Sequence, residues 1–291
     1  GVTGDSATAK ATAINAQSNL TGVTATASNE VVGPAPIARA GLANGELRIN
    51  DVAVGAIASS TNAVIQGRNA ATAINAVSNQ TGVTAVADAS TGALTLSTAD
   101  GRNIKIDSGS GDADGATAIY NATGLSVDAT APVGNDEFTV TIAGAFDTTA
   151  PGAGTVQQGD ELVMGGRTYV FADAANAGSV AADSVAVVLT DGDAVGVVAQ
   201  ELADMVHAEF VAGRSTVDST DVAAGVVTIT NSLLGDNGVL ADYYDETGMT
   251  DVASVAGAAF VAGTDAGYTA GGVTTRGTLT LSSAENFTLG G

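Results

Sequence analysis

Residues 11–25 read ATAINAQSNLTGVTA and residues 71–85 read ATAINAVSNQTGVTA, identical at 13 of 15 positions with an offset of 60, so one segment of this chain is a duplicate of another. A shorter echo, TAIYNATGLSV, stands at 117–127. In the second copy Ala70, Ala73, Ile74 and Val77 fall at i, i+3, i+4 and i+7, the spacing of a helix with one buried face. Asn79 and Gly82 stop that helix, the glycine supplying a left-handed conformation that other residues adopt at a cost. Val83-Thr84-Ala85-Val86 then reads as a strand, so the repeated piece is a helix followed directly by an extended segment.

Outward from the second copy, Glu46 to Val54 forms two alternating apolar runs around Asn50-Asp51, the pattern of a tight hairpin. Downstream, Ala93 to Ser97 and Asn103 to Ile106 alternate in the same way, giving a β-β-α-β-β unit. A similar order recurs later with little identity. Leu162-Val163-Met164 and Thr168 to Phe171 flank Gly165-Gly166, and Val195, Val198, Leu202, Met205 and Val206 share one helical face. Gly213 ends that helix, and Val226 to Ile229 is a later strand. Small-residue segments at 107–116 and 128–136 are expected to separate the two units, and 264–272 is a further linker. The strand-like tail Thr275 to Ser282 is expected to return to the first unit. The expected domains are therefore 1–130 plus 268–291, with 131–267 inserted. The expected fold class is α+β and strand-dominated, with short helices on small antiparallel sheets.

The 291 residues carry 9 Lys plus Arg against 31 Asp plus Glu, a net charge of −22, and they exclude several function classes. Phosphate recognition needs Lys and Arg, so no nucleic-acid partner is expected. Without cysteine there are no disulfides, zinc fingers or thiol chemistry. Without a run of about 18 apolar residues no membrane span is expected. The acidity is concentrated: residues 1–130 hold 6 basic and 10 acidic side chains, and 131–291 hold 3 and 21. Apolar residues still make up 45% of the chain, enough to build a core, so this is not the composition of disorder. Gly1 to Asp5 has neither an initiator Met nor a basic-then-apolar leader, and the chain is expected to be a piece of a longer one.

Taken together, the AIN-A/V-S-x-x-TGVTA repeat, the hairpin ELRINDVAVG before a helix, LTLSTADGRNIKI after it and the closing TTRGTLTLSS resemble the variable central region of bacterial flagellin. The likeness covers about 1–130 and 273–285. The resemblance implies that the chain forms the second and third, outer domains of a flagellin, without the terminal helices that build the filament tube. It implies an extracellular structural protein of the filament surface, with motility and antigenic variation as its setting. Its partners would be other flagellin subunits through helices outside this sequence, and surface glycans or host molecules. It also implies that outer-domain Ser and Thr are open to O-glycosylation. The alternative is a binding module, either of a surface adhesin or of the filament cap.

No catalytic, cofactor-binding or metal residues and no cofactor are expected. His207-Ala208-Glu209 invites a metalloprotease reading, an activity that some flagellins carry in this insertion, but a second His is needed four residues on and position 211 is Val. His207, the one histidine, is expected to be a partly exposed helix residue. Asp107 to Gly115 and Asp191-Gly192-Asp193 fit no EF-hand loop and read as acidic solvated turns. Asp242-Tyr243-Tyr244-Asp245-Glu246 suggests sugar stacking, with a tyrosine-anchored loop preferred. Asn19-Leu20-Thr21, Asn79-Gln80-Thr81, Asn121-Ala122-Thr123 and Asn286-Phe287-Thr288 match N-x-T, the first two being parts of the helix stops. Gly152-Ala153-Gly154 lacks the spacing and the lysine of a phosphate loop.

Overall fold

The computed structural model describes residues 6–128, 130–132, 135–142, 144–149, 155–234, 242–244, 253–254, 268, 270 and 272–283. The chain divides into two compact units, one made of Gly1–Pro132 and Asp265–Gly291, the other of Val133–Thr264. In chain order the first unit supplies α1 (Ala7–Asn15), α2 (Ser18–Thr21), β1 (Val23–Val32), β2 (Leu47–Ile49), β3 (Val52–Ala53), α3 (Ala63–Asn75), α4 (Ser78–Thr81), β4 (Thr84–Ala87), β5 (Leu94–Thr98), β6 (Ile104–Ser108) and α5 (Ala113–Thr123). The second unit supplies β7 (Asn135–Ile142), β8 (Phe146–Asp147), β9 (Val156–Gln157), β10 (Glu161–Met164), β11 (Arg167–Asp173), β12 (Val185–Leu189), α6 (Val195–Val211), β13 (Val217–Ala223), β14 (Val226–Leu234), β15 (Asp242–Tyr244) and β16 (Ala253–Ser254). The chain then re-enters the first unit with β17 (Val273–Thr275) and β18 (Thr278–Ser283). Small sheets and short helices make this an α+β fold dominated by strand.

The duplicated sequence folds into a duplicated structure. Each long helix breaks after its Asn and is followed by a single detached turn, α2 or α4, that ends on a left-handed glycine, Gly22 at φ 67° and Gly82 at φ 70°. The threonine before each glycine accepts from the backbone N–H two residues on, Thr21 from Val23 at 3.2 Å and Thr81 from Val83 at 3.1 Å, which turns the chain into the strand. Thr123 and Gly124 repeat the device in the echo, but there α5 is continuous to Thr123. The stop predicted at Asn79 and Gly82 is thus reached in two stages, since α3 itself closes at Asn75.

The hairpin predicted around Asn50-Asp51 is present as β2 and β3, with both turn residues left-handed at φ 50° and 68°. Its strand β2 pairs with β6, and β6 with β17, in the order β17-β6-β2-β3. Strands β4 and β5, which also follow α3, go to a different sheet, β18-β1-β5-β4. The β-β-α-β-β unit is therefore divided between two sheets, because strand pairing is settled by partners far along the chain. The core between them is aliphatic: Leu47, Ile49, Leu94, Leu96, Ile104, Ile106, Ile74 and Ile119 are all fully buried. Each contributes on the order of 1.5–3 kcal/mol by leaving water.

Residues 107–116 are not a separator. They are the end of β6 and the start of α5, held inside the first unit by Glu46, whose Oε1 accepts from the Ser108 hydroxyl at 2.6 Å and the Ser110 hydroxyl at 2.8 Å.

In the second unit α6 buries Val198, Ala199, Leu202, Ala203 and Val206. They join Tyr169, Phe171, Val187, Val227 and Ile229 in one core. One sheet has the order β13-β14-β7-β16 and the other β12-β11-β10-β15. The Gly165-Gly166 turn joins β10 to β11 antiparallel, as its left-handed glycines at φ 58° and 75° require. The pair β11 and β12 is parallel, as is the short pair β8 and β9.

Candidate functional site

The apolar stripe of α6 continues for one more step into a carboxylate. Glu209 lies on the buried face, 5% exposed, while His207, two residues earlier, points outward with 58% of its side chain exposed. Residues at i and i+2 face different sides of a helix, so the pair quoted from the sequence is not brought together.

Glu209 is held by the two arginines of its unit. Arg214 Nε donates to Glu209 Oε2 at 2.8 Å, and Arg167 Nε approaches the same oxygen at 2.9 Å. The Arg214 hydrogen bond, helped by the charge of Arg167 and opposed by burial, keeps the Glu209 carboxyl below the usual range. Tyr169, fully buried beside it, has its hydroxyl pushed up to about 12, first by burial and then by the Glu209 charge. The arrangement fixes the end of α6 to the start of β11.

His207 Nδ1 lies 2.9 Å from Asp218 Oδ1 on β13, at a groove of about 350 Å³ that Gln200, Asp204, Ser219 and Asp221 also line. Asp204 accepts from Gln200 at 2.8 Å. Among the described residues no group of three or more His, Asp or Glu is placed to hold a metal ion.

The acidic turns are engaged by backbone N–H groups and by a lysine. Asp112 caps α5 by accepting from Gly115 N–H at 2.9 Å, and Asp107 faces Lys105 at 3.3 Å. Asp191 accepts from the Thr148 N–H at 2.7 Å and Asp193 from the Thr190 N–H at 2.7 Å. Asn19 and Asn79 are exposed on their single turns, whereas Asn121 is 1% exposed, which removes it as a glycan acceptor. Asp242 to Tyr244 pair with β10 through their backbone. Their side chains, with Asp245, Glu246, Gly152 to Gly154 and Asn286 to Thr288, lie outside the described residues.

Sequence reasoning missed two residues that tie each helix to its strand. Asn15 and Asn75, equivalent in the two copies, each grip the following strand with both ends of the amide. Ala25 N–H donates to Asn15 Oδ1 at 2.7 Å, and Asn15 Nδ2 donates to the Ala25 carbonyl at 2.8 Å. Asn75 and Ala85 repeat both bonds at 2.8 Å. The signal was available: an Asn kept in both copies at a helix end, ten residues before a strand residue kept in both.

Among the described residues no helix is long and apolar enough to cross a membrane. The chain matches no known family model and no curated protein.

Proposed function

We propose that this chain forms the solvent-facing outer domains of a bacterial flagellin, a structural protein without chemistry of its own. One observation carries the reading. The flagellin-like motifs fall in a single unit that the chain leaves after α5 and re-enters at β17, with the acidic unit between. That is the arrangement expected of an outer domain bearing a second one as an insertion.

The surface chemistry fits the same role. The second unit holds 2 basic against 19 acidic residues, net −17, and both arginines are engaged with the one buried Glu209. An outward surface of almost unrelieved negative charge keeps a protein soluble at high local density and resists sticking between neighbouring filaments. Screening confines that repulsion to about 8–10 Å in physiological salt.

Antibodies raised against residues 133–264 and visualised on the source cells by immunogold electron microscopy test the proposal. It requires label along the whole length of the flagella. Label confined to the distal end would assign the chain to a filament cap, and label on the cell body would assign it to an adhesin.

A further inference from the structure

The two copies of the helix–strand module are each completed by a strand of closely similar sequence in the same register. Residues 92–98 read GALTLST and residues 277–283 read GTLTLSS, identical at five of seven positions. In the second module Thr84 pairs with Ser97, Ala85 with Leu96 and Ala87 with Leu94. In the first, Thr24 pairs with Ser282, Ala25 with Leu281 and Ala27 with Leu279. An A-x-A strand thus receives an L-x-L strand twice in one chain, small side chains opposite large ones. The two donors differ in how they reach their places. Strand β5 follows β4 through a tight turn, but Ser282 of β18 lies 258 positions after its partner Thr24, with the whole second unit between.

We propose that the Val23-to-Ser28 edge of β1 is a docking site for an L-T-L-S strand, selected by this side-chain code rather than by chain continuity, and that β18 of a second copy can occupy it. The inference stands apart from the flagellin reading. Backbone ladder bonds supply affinity and alternate pockets supply specificity, as in other strand additions. Exchange of an identical element between copies needs no new interface. Exposure marks β18 as the exchangeable donor. Leu94 and Leu96 of β5 are fully buried, whereas Leu279 and Leu281 of β18 are only half-buried and their neighbours Thr278, Thr280 and Ser282 are exposed. Strand β18 also lies at the end of its sheet order, beside β1 alone.

The test uses the full chain carrying Leu279→Asp and Leu281→Asp, which disables its own donor strand. Fluorescent peptides with the sequences of residues 277–283 and 92–98 should both bind this variant, roughly tenfold or more tighter than a peptide with the same two Asp substitutions. Binding to the unsubstituted protein should be weaker by a similar factor, because its tethered strand competes at high effective concentration. A folded variant that binds neither peptide, or binds the Asp peptide equally well, overturns the proposal. If the variant loses its cooperative unfolding transition, restoration of that transition by either L-T-L-S peptide supports it. Failure of both peptides to restore the transition overturns it.

Discussion

At the residue scale, the informative positions are those where a side chain, or the lack of one, sets a distance. Gly67 sits inside α3, where glycine ordinarily costs about 1 kcal/mol relative to alanine. Its Cα faces the carbonyl of Gly92, which a Cβ would approach at 1.9 Å, so the helix lies directly on the β4–β5 turn. Gly196, in the first turn of α6, has nothing within 4 Å of the corresponding point. The same substitution should therefore have opposite signs. Gly67→Ala is expected to lower stability by about 2 kcal/mol net, through overpacking against backbone. Gly196→Ala is expected to raise stability by up to about 1 kcal/mol. Urea unfolding of both variants measures the contrast, and a gain in stability at both sites would show that helix propensity alone governs them.

At the element scale, what was legible in the sequence is what local chemistry decides. The Asn50-Asp51 and Gly165-Gly166 turns, the Thr-Gly helix stops and the buried stripe of α6 each rest on residues within a few positions of one another. The division of strands between sheets was not legible, because Leu47 to Ile49 chooses β6 over β5 through partners more than 50 residues away. Nor was the role of 107–116, where Ser, Gly and Asp have linker composition but serve as cap and hydrogen-bond donors to Glu46. Glu209 was legible as an acid and not as a clasp, since Arg167 reaches it from β11, 42 residues earlier, and Arg214 from the turn after α6.

That clasp gives the second unit a pH dependence of fixed sign. The folded-state pKa of Glu209 is depressed, so its contribution is present above the unfolded carboxylate value and is lost as pH falls through the folded one. Glu209→Gln leaves two arginines without their counter-charge. With Arg214 partly in solvent, the loss at neutral pH should be roughly 1–3 kcal/mol. The difference between variant and native protein should shrink as pH falls through the acidic range. A difference that is constant with pH would assign the role of Glu209 to packing alone.

At the scale of the whole molecule, the chain is a first unit of 7 basic and 12 acidic residues interrupted by a second of 2 and 19. The first holds its own aliphatic core, its own caps at Asn62 and Asp112, and both strands of the tail, β17 and β18. These are the requirements for folding alone. The most direct measurement is equilibrium unfolding of a protein in which residues 133–264 are replaced by a short Gly/Ser linker. A single cooperative transition with native-like strand content is the predicted result, because every pairing of the two sheets of the first unit is retained. A non-cooperative melt, or a chain that stays unfolded, would contradict the account of an acidic unit inserted into a self-sufficient one.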